Sequence, residues 1–361
     1  MNAAQKLNKL GQSIWLDNIT RDLITSGTLS RYISQFAVTG LTSNPTIFDH
    51  AIKNTSAYDA TIRRQCKAGK SRESLFFDLA LDDITKAADL FRPVWDRTSG
   101  VDGWVSLEVS PLLAHDSADT LMAAKELHAR ANRPNVLIKI PGTGEGLMAI
   151  EEAIFAGVPI NVTLLFSTEH YLAAAEAYRR GVERRIDAGL NPNVGSVASV
   201  FVSRWDGAVQ DKVPQSLRNQ LGIAVAKQTY GAYRRFVASA RCLRAYNAGA
   251  RPQRLLWAST GTKDPSASDT LYIESLAAPF TVNTMPEATL KALADHGNVS
   301  GELLAVESDV KQTFGEFTRV GVDIDALAAQ LQEDGAEAFA KSWDELMDVI
   351  DSKSLAVAQV G

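Results

Sequence analysis

Eight short apolar runs recur along the chain, each followed by sequence of helical spacing, and this alternation restricts the fold more than any other feature. The runs are SIWLDNI (13–19), Val38 to Ser43, WVSLEVS (104–110), VLIKI (136–140), PINVTLLF (159–166), SVASVFVSR (196–204), RLLWAST (254–260) and PFTVNTM (279–285). The segments between them carry helix punctuation: Asp116 or Ser117 and Ser167 are placed to cap helices, and Gly157 to close one. Asn44-Pro45 reads as a turn, and RDLITSGTLSRYISQF after the first run as one helix. Strands alternating with helices make a parallel sheet, and eight of them close most economically into a (β/α)8 barrel. The expectation is an α/β fold, a single (β/α)8 TIM barrel domain over residues 1–361. An N-terminal helix precedes it, extra helices at about 55–100 follow the second strand, and a helical extension runs from about 300. A doubly wound open sheet is the alternative. Against it, the first run lacks the GxGxxG turn of a dinucleotide fold, and GTGEG after the fourth lacks the GK[ST] of a phosphate loop.

The fourth run contains the most unusual residue. Lys139 interrupts an apolar strand one residue before Ile140 and Pro141. Side-chain alternation puts Val136, Ile138 and Ile140 on one face and Leu137 with Lys139 on the other. An amine on an inner face loses hydration and tends toward the neutral, nucleophilic form that Schiff-base chemistry needs. The plain alternative is an ammonium that reaches solvent or pairs with an acid.

Composition narrows the chemistry. A net charge of −5 argues against a nucleic-acid partner, because the densest basic cluster (Arg179, Arg180, Arg184, Arg185) shares its helix with Glu176 and Glu183. No run reaches the roughly 18 apolar residues of a membrane span. Cys66 and Cys242 are far apart without metal or redox spacing, which fits a reducing cytoplasm. The five histidines show no metal-ligand spacing, so the default is a mechanism without metal or cofactor.

In a barrel, function collects at the C-terminal ends of the strands. Polar residues fall there: Asp17, Asn44, Glu108, Lys139, Asn161, Thr163, Ser199, Arg204, Ser259 and Lys263. Singly, each has a structural explanation: Asp17 as a helix cap, Asn44 as a turn residue, Glu108 as an arginine partner, Ser199 as a backbone ligand. Together they suit a Schiff-base site. Glu108 and Asp17 can move protons around a reacting lysine, Thr163 can hold a water, and Asn44 and Asn161 can hold substrate hydroxyls. Arg204, Ser259 and Lys263 can cradle a phosphate.

The motifs GLTSNPTIF (40–48), SLEVSP (106–111), LIKIPGTGEG (137–146), INVTLLFS (160–167) and WASTGTKDP (257–265) resemble those of the transaldolases, over nearly the whole chain and in the same order. WASTGTKDP and the extra helical regions look like the longer bacterial members rather than the short fructose-6-phosphate aldolases. The resemblance implies that Lys139 forms a Schiff base with a ketose phosphate and that Asp17 deprotonates the C4 hydroxyl. A dihydroxyacetone unit would then pass from sedoheptulose 7-phosphate to glyceraldehyde 3-phosphate, giving erythrose 4-phosphate and fructose 6-phosphate. It also implies Glu108 and Thr163 as acid and water-holding hydroxyl, Asn44, Asn161 and Ser199 as substrate ligands, and Arg204 as phosphate arginine. Shorter relatives carry an arginine two residues after the serine matching Ser259. Gly261 stands there, and Lys263 is the candidate replacement. Phosphorylated sugars are the implied partners of a cytoplasmic monomer or homodimer.

Overall fold

A computed structural model of the chain describes residues 1–303 and 306–359. Its eight parallel strands are β1 (Ser13–Asp17), β2 (Val38–Thr42), β3 (Val105–Glu108), β4 (Val136–Pro141), β5 (Ile160–Leu165), β6 (Ser196–Phe201), β7 (Arg254–Ala258) and β8 (Val282–Met285). They pair in chain order and close, β8 against β1. This is the expected barrel.

The alternation inferred around Lys139 holds. Val136, Ile138 and Ile140 join the apolar layer between the sheet and its helices, whereas Leu137 joins the cluster inside the barrel with Trp15, Val197, Leu256 and Val282. Trp15 fills the interior so closely that a Cβ on Gly40 would lie 2.5 Å from its indole nitrogen, which requires glycine in β2. At the N-terminal end the Trp15 indole donates to Asp102 at 2.8 Å, and Arg254 donates to Ser13 at 2.6 Å. That end is plugged, and the polar strand ends at the other are left to form a site.

Local boundaries differ from the sequence expectation where tertiary context intervenes. Most runs overshoot their strands, because their last residues begin the next turn or helix. The sixth run stops as strand at Phe201, and Arg204 lies on the first turn of the helix Ser203–Val209. The segment after β1 forms two helices, Arg21–Thr25 and Thr28–Gln35, separated by Gly27 at a left-handed φ of 78°. Asn44 and Pro45 do not make a free turn but open the helix Pro45–Lys53. Asn44 Oδ1 accepts the Ile47 N–H at 3.0 Å, and Pro45 occupies a first-turn position where no N–H is needed. Asp116 and Ser167 are the caps, and Gly157 the closing residue, as their positions require.

Outside the barrel, Asp59–Lys67 and Arg72–Arg97 supply the extra helices after β2. At the C-terminus, Glu307–Arg319 leads into the long helix Ile324–Gln359. The long helix crosses the C-terminal mouth of the barrel. Gln332 donates to the carbonyls of Gly142 and Leu164 at 3.2 and 2.9 Å, and Trp343 packs on Phe76 and Phe77. Among the described residues no helix is long and apolar enough to cross a membrane.

Candidate active site

Strand register sets the site. Glu108, Lys139 and Asn161 lie side by side on β3, β4 and β5, Thr163 pairs with Pro141, and Asp17 pairs with Thr42 across β1 and β2. Above them opens a cavity of about 320 Å³. Asp17, Asn44, Lys139, Thr163, Ser199, Arg204, Ser259 and Lys263 line it, while Glu108 and Asn161 stand behind that lining. Larger cavities, up to about 900 Å³, contain none of the ten residues. Convergence of polar groups, rather than volume, marks the candidate site.

Lys139 is only 5% exposed, and its Nζ donates to Glu108 Oε2 and to the Ser43 carbonyl, both at 3.0 Å. The pairing alternative raised by the sequence is therefore real, but its geometry is also chemically useful. Burial pushes the Glu108 carboxyl above the ordinary glutamate range, Lys139 partly counters this, and nearby Asp17 raises it further. A carboxylate with raised proton affinity, in hydrogen-bond contact with the amine, can take the proton the amine must lose. Glu108 Oε1 and Thr163 Oγ1 are buried and have no hydrogen-bond partner among the described residues. Desolvated polar groups of this kind cost stability unless something else engages them, so both fit a site that binds polar ligands or water.

Asp17 accepts from Thr42 Oγ1 at 2.7 Å, and Thr42 shares a 2.7 Å contact with Thr284. Burial raises its affinity for a proton, while the Thr42 hydrogen bond and then the charges of Lys139 and Lys263 lower it. The carboxyl is thus poised as a base whose ionisation depends on its neighbours.

The remaining candidates differ in availability. Asn161 is fully buried: its Nδ2 donates to Ser106 at 3.1 Å, and its Oδ1 accepts from Ser199 at 2.7 Å. Asn44 spends its oxygen on the helix cap. Ser259, at the end of β7, has a left-handed φ of 54° and shares a 2.9 Å contact with Ser203. A non-glycine residue held in that conformation is a feature of strained functional loops. Arg204 and Lys263 are exposed, and among the described residues neither makes an ion pair, so both cations face the cavity uncommitted.

Thr42, Thr284, Phe201 and Phe339 also line the cavity, beyond the ten residues the sequence singles out for chemistry. The first three were detectable as further strand-end positions of the same alternation. Phe339 comes from the C-terminal helix, whose apolar spacing suits packing on the barrel or over its mouth, and its ring centroid lies 5.7 Å from Lys139 Nζ.

Comparison with known proteins identifies the family of the chain. The family model described as Transaldolase/Fructose-6-phosphate aldolase matches residues 14–350. A transaldolase of Saccharopolyspora erythraea is 44% identical over 353 residues, covering 96% of each chain. One from Thermobifida fusca is also 44% identical over 353 residues, covering 95% of this chain and 96% of its own. A protein named transaldolase 2 in Nostoc punctiforme is 38% identical over 382 residues, covering 99% of each. The buried lysine with its two carboxyl neighbours thus sits in a chain that belongs to the transaldolase/fructose-6-phosphate aldolase family.

Proposed function

We propose that the protein is a transaldolase acting on phosphorylated sugars through a Schiff base on Lys139, without a cofactor. The observation that carries the proposal is the buried amine, 5% exposed and 3.0 Å from Glu108 Oε2, in a cavity that also holds Asp17. Glu108 receives a proton from the amine, which attacks the C2 carbonyl of the ketose donor. Loss of water from the carbinolamine leaves an iminium, with Glu108 and a water held by Thr163 moving the protons. Asp17 takes the C4 hydroxyl proton, the C3–C4 bond breaks, and its electrons pass to the iminium to give an enamine. The aldose leaves.

The enamine carbon then attacks the aldehyde of the acceptor, Asp17 returns its proton to the new hydroxyl, and hydrolysis frees the product ketose and Lys139. With sedoheptulose 7-phosphate as donor and glyceraldehyde 3-phosphate as acceptor, the products are erythrose 4-phosphate and fructose 6-phosphate. Asn44, Asn161 and Ser199 are assigned to the sugar, Asn161 through its hold on Ser199. Arg204, Ser259 and Lys263 are assigned to phosphate, Lys263 supplying the second charge where Gly261 offers none. The unpaired thiols Cys66 and Cys242 support a cytoplasmic setting.

Borohydride reduction in the presence of fructose 6-phosphate should add a dihydroxyacetone-derived mass to Lys139 and to no other residue. An intact protein mass unchanged by this treatment, or an adduct elsewhere, would overturn the assignment. Rapid release of free dihydroxyacetone without an acceptor would identify an aldolase instead.

A further inference from the structure

The C-terminal helix Ile324–Gln359 lies outside the barrel, yet it places one side chain over the reacting amine. Phe339 is 9% exposed, lines the cavity, and holds its ring centroid 5.7 Å from Lys139 Nζ. The ring is not there by chance of packing, because the helix is pinned on both sides of it. Two turns earlier, Gln332 bridges the carbonyls of Gly142 and Leu164, at the ends of β4 and β5. One turn earlier, Gly335 lies so close to β5 that a Cβ would come within 3.1 Å of the Leu164 side chain. Just after it, Ser342 meets Thr46 at 2.9 Å, and Trp343 stands edge-on to Phe76 at 5.2 Å. A helix fixed at these points holds the Phe339 ring in a constant position.

The charge that matters changes during the reaction. The free amine must be neutral to attack, but the Schiff base is cationic as an iminium on either side of the enamine. An aromatic face attracts a cation most strongly where water is excluded. A ring in this position therefore favours the cationic intermediate and also occupies space through which water would reach it. Water is the competitor for the acceptor sugar. If the enamine carbon takes a proton, the resulting iminium adds water, the C–N bond breaks, the water oxygen becomes the ketone oxygen, and its two protons end on the lysine nitrogen. Free dihydroxyacetone is released, and transfer is lost.

We propose that Phe339 shields the Lys139 Schiff base and thereby sets the partition between transfer to an acceptor and release to water. This rests on the proposed function and extends it to a residue of the C-terminal helix. The partition is a ratio of two products formed by the same enzyme molecules, so it does not depend on how much of a variant folds.

The experiment compares Phe339→Leu, Phe339→Ala and Phe339→Tyr with the unaltered protein, using fructose 6-phosphate with and without erythrose 4-phosphate. Free dihydroxyacetone and transferred product are both measured. Leucine keeps apolar bulk without the ring, and tyrosine keeps the ring. Release relative to transfer should rise about tenfold in the alanine and leucine variants, because side chains smaller than the ring admit water to the Schiff-base carbon, and stay near the unaltered value in the tyrosine variant. An unchanged ratio in both alanine and leucine variants overturns the proposal. A rise in alanine alone assigns the effect to bulk and overturns the role of the ring. Borohydride trapping at Lys139 in the unaltered protein is run alongside. Failure of trapping rejects the Schiff-base function itself, whereas successful trapping with an unchanged partition rejects only the role of Phe339.

Discussion

At the scale of single residues, the site depends on carboxyl groups moved away from their ordinary behaviour by burial. Asp17 is raised by desolvation and held down by the Thr42 hydrogen bond and two lysine charges. A base must be ionised to work, so activity should fall as pH is lowered through its raised value. Removing the Thr42 hydroxyl in Thr42→Val takes away the largest lowering influence. The acid limb of the kcat profile should therefore move to higher pH; an unmoved limb would separate Asp17 from the rate-limiting proton transfer.

A second buried carboxyl, Asp206, has a structural role. It accepts from the backbone of Leu221 at 2.9 Å and Gly222 at 3.2 Å, and from the Tyr272 hydroxyl at 2.8 Å. Burial nonetheless raises its pKa to about 6, outweighing these hydrogen bonds. Ionising it near 6 instead of near 3.8 costs on the order of 3 kcal/mol of native stability at neutral pH. Its folded pKa lies above its unfolded one, so its stabilising contribution is complete below the unfolded value and is lost as pH rises through about 6. Urea titrations should show the protein losing stability relative to Asp206→Asn as pH is raised from about 4 to about 6. Parallel curves would mean that Asp206 ionises alike in both states.

At the scale of elements, the C-terminal helix is held by large aromatic contacts together with the ion pairs Arg72–Asp351 and Lys353–Asp59, both at 3.2 Å. Trp343 is 3% exposed and packs on Phe76 and Phe77 of the helix Arg72–Arg97. Trp343→Ala should cost about 3–5 kcal/mol in chemical denaturation, the usual range for truncating a buried tryptophan. Gly335→Val should disturb the site more selectively, by pushing the helix from Leu164 and lifting Phe339 off Lys139. Its signature is a raised ratio of dihydroxyacetone release to transfer, with a modest stability loss of about 1–3 kcal/mol. Much at this scale was legible beforehand. Caps such as Ser167 and the closing Gly157 act within a turn of their own position, so sequence reveals them. Asn44-Pro45 opens a helix rather than a free turn, because the same pair serves either and only the chain that follows decides.

At the scale of the whole molecule, barrel closure brings together groups far apart in sequence. Arg204 begins the helix after β6, and Lys263 follows β7, yet both face the cavity that contains Lys139. Each contact from these cations to a phosphate is worth about 1.5–3 kcal/mol, so Arg204→Ala and Lys263→Ala should each raise the KM for fructose 6-phosphate by roughly ten- to a hundredfold. Turnover of unphosphorylated fructose should change little. Equal losses on both sugars would place these residues in fold maintenance rather than phosphate recognition.

The sequence by itself determined the eight strands, their parallel order, and the inward face shared by Leu137 and Lys139, because a period of two along each strand is a local property. It also placed Asp17, Glu108 and Thr163 at strand ends, which closure then made neighbours. Tertiary structure alone decided that Asn161 is tied up by Ser106 and Ser199, that Thr42 and Thr284 support Asp17, and that the C-terminal helix lies over the mouth. The spacing of Leu327, Leu331, Phe339, Trp343, Leu346 and Ile350 suits an amphipathic helix packed on the barrel or over its mouth and does not choose between the two. Helical periodicity records which face is buried. What it is buried against depends on the arrangement of the barrel and its extra helices, and here that arrangement set Trp343 against Phe76 and Phe339 over Lys139.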